Sequence, residues 1–447
     1  MFRHWIRLLR GRLPGQLVIQ ITDHCNARCP QCGMRATVRF PRSKLSLDDV
    51  KRNIDRAAEL GFAAVSFTGG EPLLHLNELV EAANHAGKAG IKYIRTGTNG
   101  FLLQRAVGPQ FAGKIRKLAE RLAATPLRNL WISIDSADPE THERMRGLSG
   151  VVGAIEKALP IFHDCGLYPS ANLGINRNLG GEATAGLELR APRFGATDRA
   201  RFEEQYRVAF RRFYRRVIDM GFTIVNACYP MSVDGRLGRE ELSPVYMATS
   251  DEDLVRYTTA EKACLFRALL ATIGEFRSKI RLFSPRSSVY ALSRQYDEED
   301  NRAYPCLGGI DFFFIDSKDG CAYPCGYRGN ENLGQLWRWD GLPPGGPKCR
   351  RCDWECFRDP SELVGPLVQG LRDPLGLWKR IRSDRLQFHY WIDDLKYYRA
   401  CGLFDGRRPP RMARLRPFED QTSSPEHEDL EHVLTPRVPL SARSHAE

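Results

Sequence analysis

Between residues 16 and 228 the chain alternates repeatedly between short β-branched, apolar runs and longer runs of helical period. The strand-like runs are QLVIQIT (16–22), AAVSFT (63–68), KYIRTGT (92–98), NLWISID (129–135), PSANLGI (169–175) and FTIVNAC (222–228). Helical runs at 46–61, 76–89, about 109–124, 150–164 and about 198–220 separate them. The first opens on Ser46 as N-cap with Asp49 three residues on, and Gly61 stops it. Consecutive βα units demand a parallel sheet wrapped by helices. Right-handed crossovers curl such a sheet towards a barrel, which six units leave incomplete and open on one side. The expectation is therefore an α/β fold, a partial (β/α)6 TIM-like barrel, with its chemistry at the C-terminal ends of the strands.

The chain is too long, at 447 residues, for one core. Beyond the barrel, here taken as 16–232, we expect a helical connecting region (233–303), a compact cysteine-rich segment (304–358) and a helical segment (359–407). The Pro- and charge-rich tail (408–447) is expected to be disordered. Residues 1–15 form a basic amphipathic segment with Phe2, Ile6 and Leu9 on one face and Arg3, Arg7 and Arg10 on another. Its bland reading is a helix over the barrel end, and its sharper reading is a weak membrane-surface contact. It is too short and interrupted for a secretion signal, so a cytoplasmic location is the default expectation. The net charge of +12 admits several anionic partners and selects none.

Thirteen cysteines are many for a reducing compartment, where clustered thiols bind metal more often than they pair. Cys25, Cys29 and Cys32 follow the first strand at intervals that supply three thiolates with no fourth nearby. Three thiolates on a four-iron cluster leave one iron open, and an open position marks a reactive site. At the second strand end stands TGGEP, where Gly69 and Gly70 let backbone approach a ligand, Pro72 closes the turn, and Glu71 can accept from an ammonium. Ser133 and Asp135 end the fourth strand on one face, where they could hold hydroxyls.

The Cys-x3-Cys-x2-Cys loop after the first strand of a partial βα barrel, with the glycine motif behind it, resembles the radical S-adenosylmethionine (SAM) superfamily. The resemblance implies a [4Fe–4S] cluster held by Cys25, Cys29 and Cys32. It also implies SAM bound at Gly69, Gly70, Glu71 and Pro72, with Ser133, Asp135, Asn172 and Asn176 near its ribose and carboxylate and the backbone at Val225 near its adenine. Reductive cleavage of SAM would give a 5′-deoxyadenosyl radical that abstracts hydrogen from an unidentified substrate. Gln31 departs from the family, which usually has an aromatic residue before the third cysteine.

The second cysteine group, Cys306, Cys321, Cys325, Cys349, Cys352 and Cys356, resembles the Twitch and SPASM auxiliary-cluster extensions of that superfamily, as a small α+β domain. FFFID and the Asp319–Gly320 turn read as its hairpin. The resemblance implies an auxiliary [4Fe–4S] cluster on Cys306, Cys325, Cys349 and Cys352, with Cys356 a rival ligand, for electron transfer or substrate binding. It implies a flavodoxin or ferredoxin reductant, and leaves peptide, sugar, lipid and small-molecule substrates open. No nucleic acid is expected. Cys228 and Tyr229, at the sixth strand end, are placed to quench a substrate radical, although a buried cysteine there is the plainer reading. The alternatives are a zinc-binding nucleic-acid module, which two cysteine pairs on hairpins would also suit, and a non-catalytic iron–sulfur scaffold.

Overall fold

Each strand of the repeat is followed by a helix, and local side-chain caps start two of them. In the computed structural model, which describes residues 12–33, 42–106, 108–189, 195–230, 242–246, 252–297, 303–346 and 348–419, β1 (Gly15–Thr22) leads to α1 (Leu47–Glu59). There Ser46 Oγ accepts from the Asp49 amide at 3.0 Å. Then follow β2 (Phe62–Gly69), α2 (Leu76–Lys88), β3 (Tyr93–Thr98), α3 (Phe111–Ala123) and β4 (Leu127–Ser133). A short α4 (Pro139–Arg146) comes next, started by Asp138 accepting from the Thr141 amide at 3.0 Å. The repeat ends with α5 (Val151–Asp164), β5 (Ser170–Gly174), α6 (Ala196–Asp219) and β6 (Ile224–Cys228).

The six strands pair in parallel in sequence order, as the alternation predicts. Leu17, Ile19 and Ile21 on the outer face of β1 join Val50 and Ile54 of α1 in the main core. Gln16, Val18 and Gln20 alternate onto the inner face.

The sheet does not end with β6. Residues after the Thr258–Glu261 capping box form α7 (Thr259–Phe276). The two-residue β7 (Arg281–Leu282) then adds to β6 in parallel, and α8 (Arg286–Tyr296) follows. On the other side β8 (Phe312–Ile315) pairs in parallel with β1 and carries β9 (Ala322–Tyr323) antiparallel. The nine-stranded order is β7-β6-β5-β4-β3-β2-β1-β8-β9. The connecting region and the cysteine-rich hairpin are thus joined to the barrel sheet, a joint that no local pattern announces.

Three longer helices follow, α9 (Glu355–Arg372), α10 (Pro374–Ser383) and α11 (Arg385–Ala400), before a short helical turn at Met412–Leu415. The cysteine-rich segment expected to end at 358 therefore runs into α9, whose first turn carries Cys356. A buried knot ties α7, α8 and α11 together. Arg277, fully buried, pairs with Asp393 at 2.9 Å and with Asp394, and lies over the Tyr397 ring at 4.4 Å. Asp394 also accepts from the Arg286 and Ser287 amides and from Ser287 Oγ. The stretch 408–419 departs from the expected disorder: Leu415 is buried against Ile224, Tyr397 and Phe404. The amphipathic segment at 2–11 and the tail from 420 lie outside the described residues.

Candidate active site

The cysteine loop leaves β1 at its C-terminal end and is held there by the glycine motif. The Gly70 amide donates to the Thr22 carbonyl and the Glu71 amide to the His24 carbonyl, both at 2.8 Å. The two backbones run so close that a Cβ on Gly69 would lie 2.1 Å from the Thr22 oxygen, and one on Gly70 2.2 Å from that of His24. Only glycine fits this crossing.

Glu71 is buried and its two oxygens accept from the Leu73 amide (3.0 Å) and the Asn99 amide (2.6 Å). Burial nevertheless pushes its carboxyl up to about 7, because nearby positive charge does not offset desolvation. A cation brought beside it would restore the carboxylate. Burial also raises the Cys25 thiol, and pushes that of Cys29 up to about 11. These thiols are protonated until a metal takes the proton's place.

Asp135 lies two residues beyond the end of β4, buried and already engaged. It pairs with Arg146 at 2.6 Å, and accepts from Gln31 Nε2 at 2.7 Å and from the Gly174 amide at 3.3 Å. Gln31, the departure from the family pattern, thus ties the cysteine loop to β4 by a side-chain bond. Arg146 escaped the sequence reading. Burial works against its charge, but Asp135, Cys29 and Cys32 more than offset that and raise its pKa. The cation therefore stands beside the cysteine loop, where it favours thiolate. Nothing in ETHERMRG signals this role, since it depends on how α4 folds back.

The remaining predicted contacts divide. Ser133 is half-buried at the end of β4. Asn172 lies against Cys228, Nδ2 to Sγ 3.4 Å. Asn176, by contrast, spends its side chain within the protein: Nδ2 donates to the Asp135 and Gly174 carbonyls and Oδ1 accepts from the Asn178 amide. It shapes the turn after β5. The Val225 carbonyl accepts from the Phe283 amide at 2.9 Å, beside β7.

Below the cysteine loop a chamber of about 230 Å³ opens inside the sheet, lined by the inner faces of β1–β6 and by α9. Arg95 of β3 lines it, bonded to Ser66 and lying 6.0 Å from the Trp131 ring. Among the described residues Arg95 forms no ion pair. Glu355 and Asp359 line the chamber from α9. Glu355 is bracketed by two thiols, with Cys356 Sγ 3.4 Å from Oε1 and Cys228 also within bonding reach. Burial pushes Glu355 up to about 7 and raises Asp359, Cys228 and Cys356 well above their ordinary values. Tyr229 does not stand free: its hydroxyl donates to Asp359 at 3.2 Å.

The later cysteines separate into groups. The Cys306 amide donates to the Cys349 carbonyl at 2.7 Å, and Cys306, Cys325 and Cys352, raised chiefly by burial, are raised further by the thiols beside them in this group. Cys356 is not among them, facing the chamber instead. Cys321 sits apart, half-buried beside Asp319.

Two observations test whether iron–sulfur clusters and SAM suit these residues. First, thiols in both groups receive the amide two residues on: Ala27 to Cys25 (3.5 Å), Gly308 to Cys306 (3.4 Å), Tyr327 to Cys325 (3.4 Å), and likewise Trp354 to Cys352. Such donors stabilise thiolate and tune a cluster. Among the described residues no three His, Cys, Asp or Glu side chains converge tightly enough for a single metal ion. Thiols that couple without converging suit a larger group. Second, Gln20 on the inner face of β1 is wholly buried, with neither side-chain polar atom bonded. A buried unsatisfied amide is costly, and a ligand at the barrel mouth would satisfy it. The residues fit.

Residues 19–175 match the family described as the radical SAM superfamily. Among curated proteins, the AdoMet-dependent heme synthase of Methanosarcina barkeri is 24% identical over 314 residues, covering 70% of this chain and 77% of that protein. The GTP 3′,8-cyclase of a Synechococcus species is 37% identical over 142 residues, so the chain spans only 37% of that relative. Among solved structures, Streptococcus suis SuiB bound to S-adenosylmethionine aligns with a TM-score of 0.47 at 16% identity, over 83% of this chain and 71% of that one.

Proposed function

We propose, from the premise that this chain carries a radical SAM domain, that it acts on a substrate held in the chamber between the Cys25–Cys32 loop and α9. When bound, the [4Fe–4S] cluster with SAM supplies a 5′-deoxyadenosyl radical that abstracts hydrogen. Cys25, Cys29 and Cys32 hold that cluster, and Arg146 balances their charge. Glu71 takes the ammonium of SAM, between Gly69, Gly70 and Pro72. Ser133 and Asn172 face its ribose, while Asp135 and Asn176 position the loop through Gln31 and the β5 turn. The backbone around Val225 borders the adenine.

Cys306, Cys325, Cys349 and Cys352 hold the auxiliary [4Fe–4S] cluster, and Cys356 is left to the chamber. Cys356 or Cys228 is then a hydrogen source for a substrate radical, with Glu355 between them. The observation that carries the reading is the chamber itself, lined by Arg95 of β3 and by Glu355 and Asp359 of α9. Arg95, without an ion pair, suits a carboxylate or phosphate on the substrate. The core spans about 16–232 and the auxiliary domain about 304–358. Among the described residues no helix is long and apolar enough to cross a membrane. We place the enzyme in the cytoplasm with an acidic flavodoxin or ferredoxin as reductant.

Anaerobic reconstitution tests this. About eight irons are expected, with 5′-deoxyadenosine formed from SAM and dithionite. Alanine at Cys25, Cys29 and Cys32 should remove about four irons and all 5′-deoxyadenosine. Cys325→Ala should also cost about four, and Cys356→Ala none. Zinc in place of iron, or iron lost with Cys356, would overturn the assignment.

A further inference from the structure

Of the nine large apolar side chains exposed among the described residues, five fall between 367 and 386: Leu367 (49% exposed), Leu371 (56%), Leu375 (74%), Trp378 (52%) and Leu386 (46%). Their intervals are four, four and three, then Arg382 and Leu386 at four each. They sit on three consecutive helices, Leu367 and Leu371 on α9, Leu375 and Trp378 on α10 and Leu386 at the start of α11, broken at Asp373 and Asp384. Asp373 caps α10 by accepting from the Gly376 amide (2.8 Å), and Asp384 caps α11 by accepting from the Gln387 amide (3.0 Å). α10 has no buried residue at all. Leu377 and Ile381 turn inward towards Tyr304, Pro366 and Trp391, so the exposed side chains are not needed for packing.

Among them stand exposed Arg372, Lys379, Arg382 and Arg385, against the two capping aspartates. The Arg382 guanidinium lies over the Trp378 ring at 4.5 Å. We propose that the exposed apolar set from Leu367 to Leu386 docks this protein on the surface of an anionic lipid bilayer. Exposed leucine and tryptophan with arginine and lysine among them match the depth profile of a membrane interface, where apolar tips enter the acyl boundary and cations meet headgroup phosphates. The five side chains stand exposed on these helices. A bilayer accepts such side chains without shape complementarity, whereas a protein partner would need a matching surface. The first turns of α9 wall the chamber through Glu355, Asp359 and Leu363, and the same helix carries Leu367 and Leu371 further on.

Full-length, reconstituted protein should be sedimented with vesicles of phosphatidylcholine alone and of an equal mixture with phosphatidylglycerol. Binding is expected to the mixed vesicles, weaker without the anionic lipid and weaker in raised salt. Leu375→Asp with Trp378→Asp should abolish it. Lys379→Glu with Arg382→Glu should weaken it by roughly fivefold or more for each charge lost. All four substitutions lie on exposed side chains, so circular dichroism and thermal midpoint should not change. Failure to bind, or binding that survives these variants, overturns the proposal. So does finding that the variants instead dissociate a dimer or release an acidic electron-donor protein.

Discussion

Glu355 gives the sharpest quantitative expectation. Its ordinary carboxyl value is 4.5 and burial moves it to about 7 in the folded protein. Between those values the folded state holds a proton that the unfolded chain has lost. Unfolding then releases a proton, so stability falls as pH rises from about 4.5 to about 7 and levels off above. The gap of about 2.5 units is worth roughly 3 kcal/mol. This is a ceiling, because the carboxyl is only half-buried by surface and its open side faces the chamber. Glu355→Gln removes the ionisation and keeps the shape. The glutamine variant should match wild type near pH 5 and be more stable by about 1–3 kcal/mol near pH 8. Anaerobic urea unfolding at about pH 5, 6, 7 and 8 would measure the difference. A difference that is constant with pH, or that favours wild type at high pH, would refute the reasoning. It would mean that the carboxylate is already stabilised where it stands.

Two further substitutions probe the frame around the chamber. A Cβ on Gly97 would lie 1.7 Å from Trp131 Nε1, so Gly97→Ala should cost about 1–3 kcal/mol by overpacking. The cost should largely vanish in a Trp131→Ala background, and an equal cost in both backgrounds would show that the indole is not the obstacle. Asp394→Ala leaves buried Arg277 only the half-buried Asp393 and should destabilise by up to about 3–5 kcal/mol in thermal unfolding. Arg277→Met with Asp394→Leu should recover much of that, and no recovery would place the cost in the Ser287 and Arg286 amides instead.

The parallel repeat was legible because alternation of period and capping residues are local properties of the chain. Ser46 with Asp49, and the stop at Gly61, could each be read within a few residues. What could not be read depends on distant contacts. β7 is two residues long, too short to carry a period, and exists because β6 offers an edge. Arg146 belongs to the cysteine loop only through the return of α4 onto Asp135. Asn176 was expected at a ligand but closes a turn, since spacing cannot tell which neighbour an amide will find first. Cys356 stands four residues after Cys352, and the start of α9 between them turns its thiol away from the other four.

The pairing of β8 with β1 also bears on how the chain is made. β1 ends at Thr22, and its partner on that side begins at Phe312. During synthesis roughly 290 residues emerge before the first strand is flanked on both sides, an interval of about 15–60 s at ordinary elongation rates. Throughout it, a strand carrying Leu17, Val18, Ile19 and Ile21 presents an open edge of the kind that recruits other chains. A shortened chain that stops before Phe312 would keep that edge open for good.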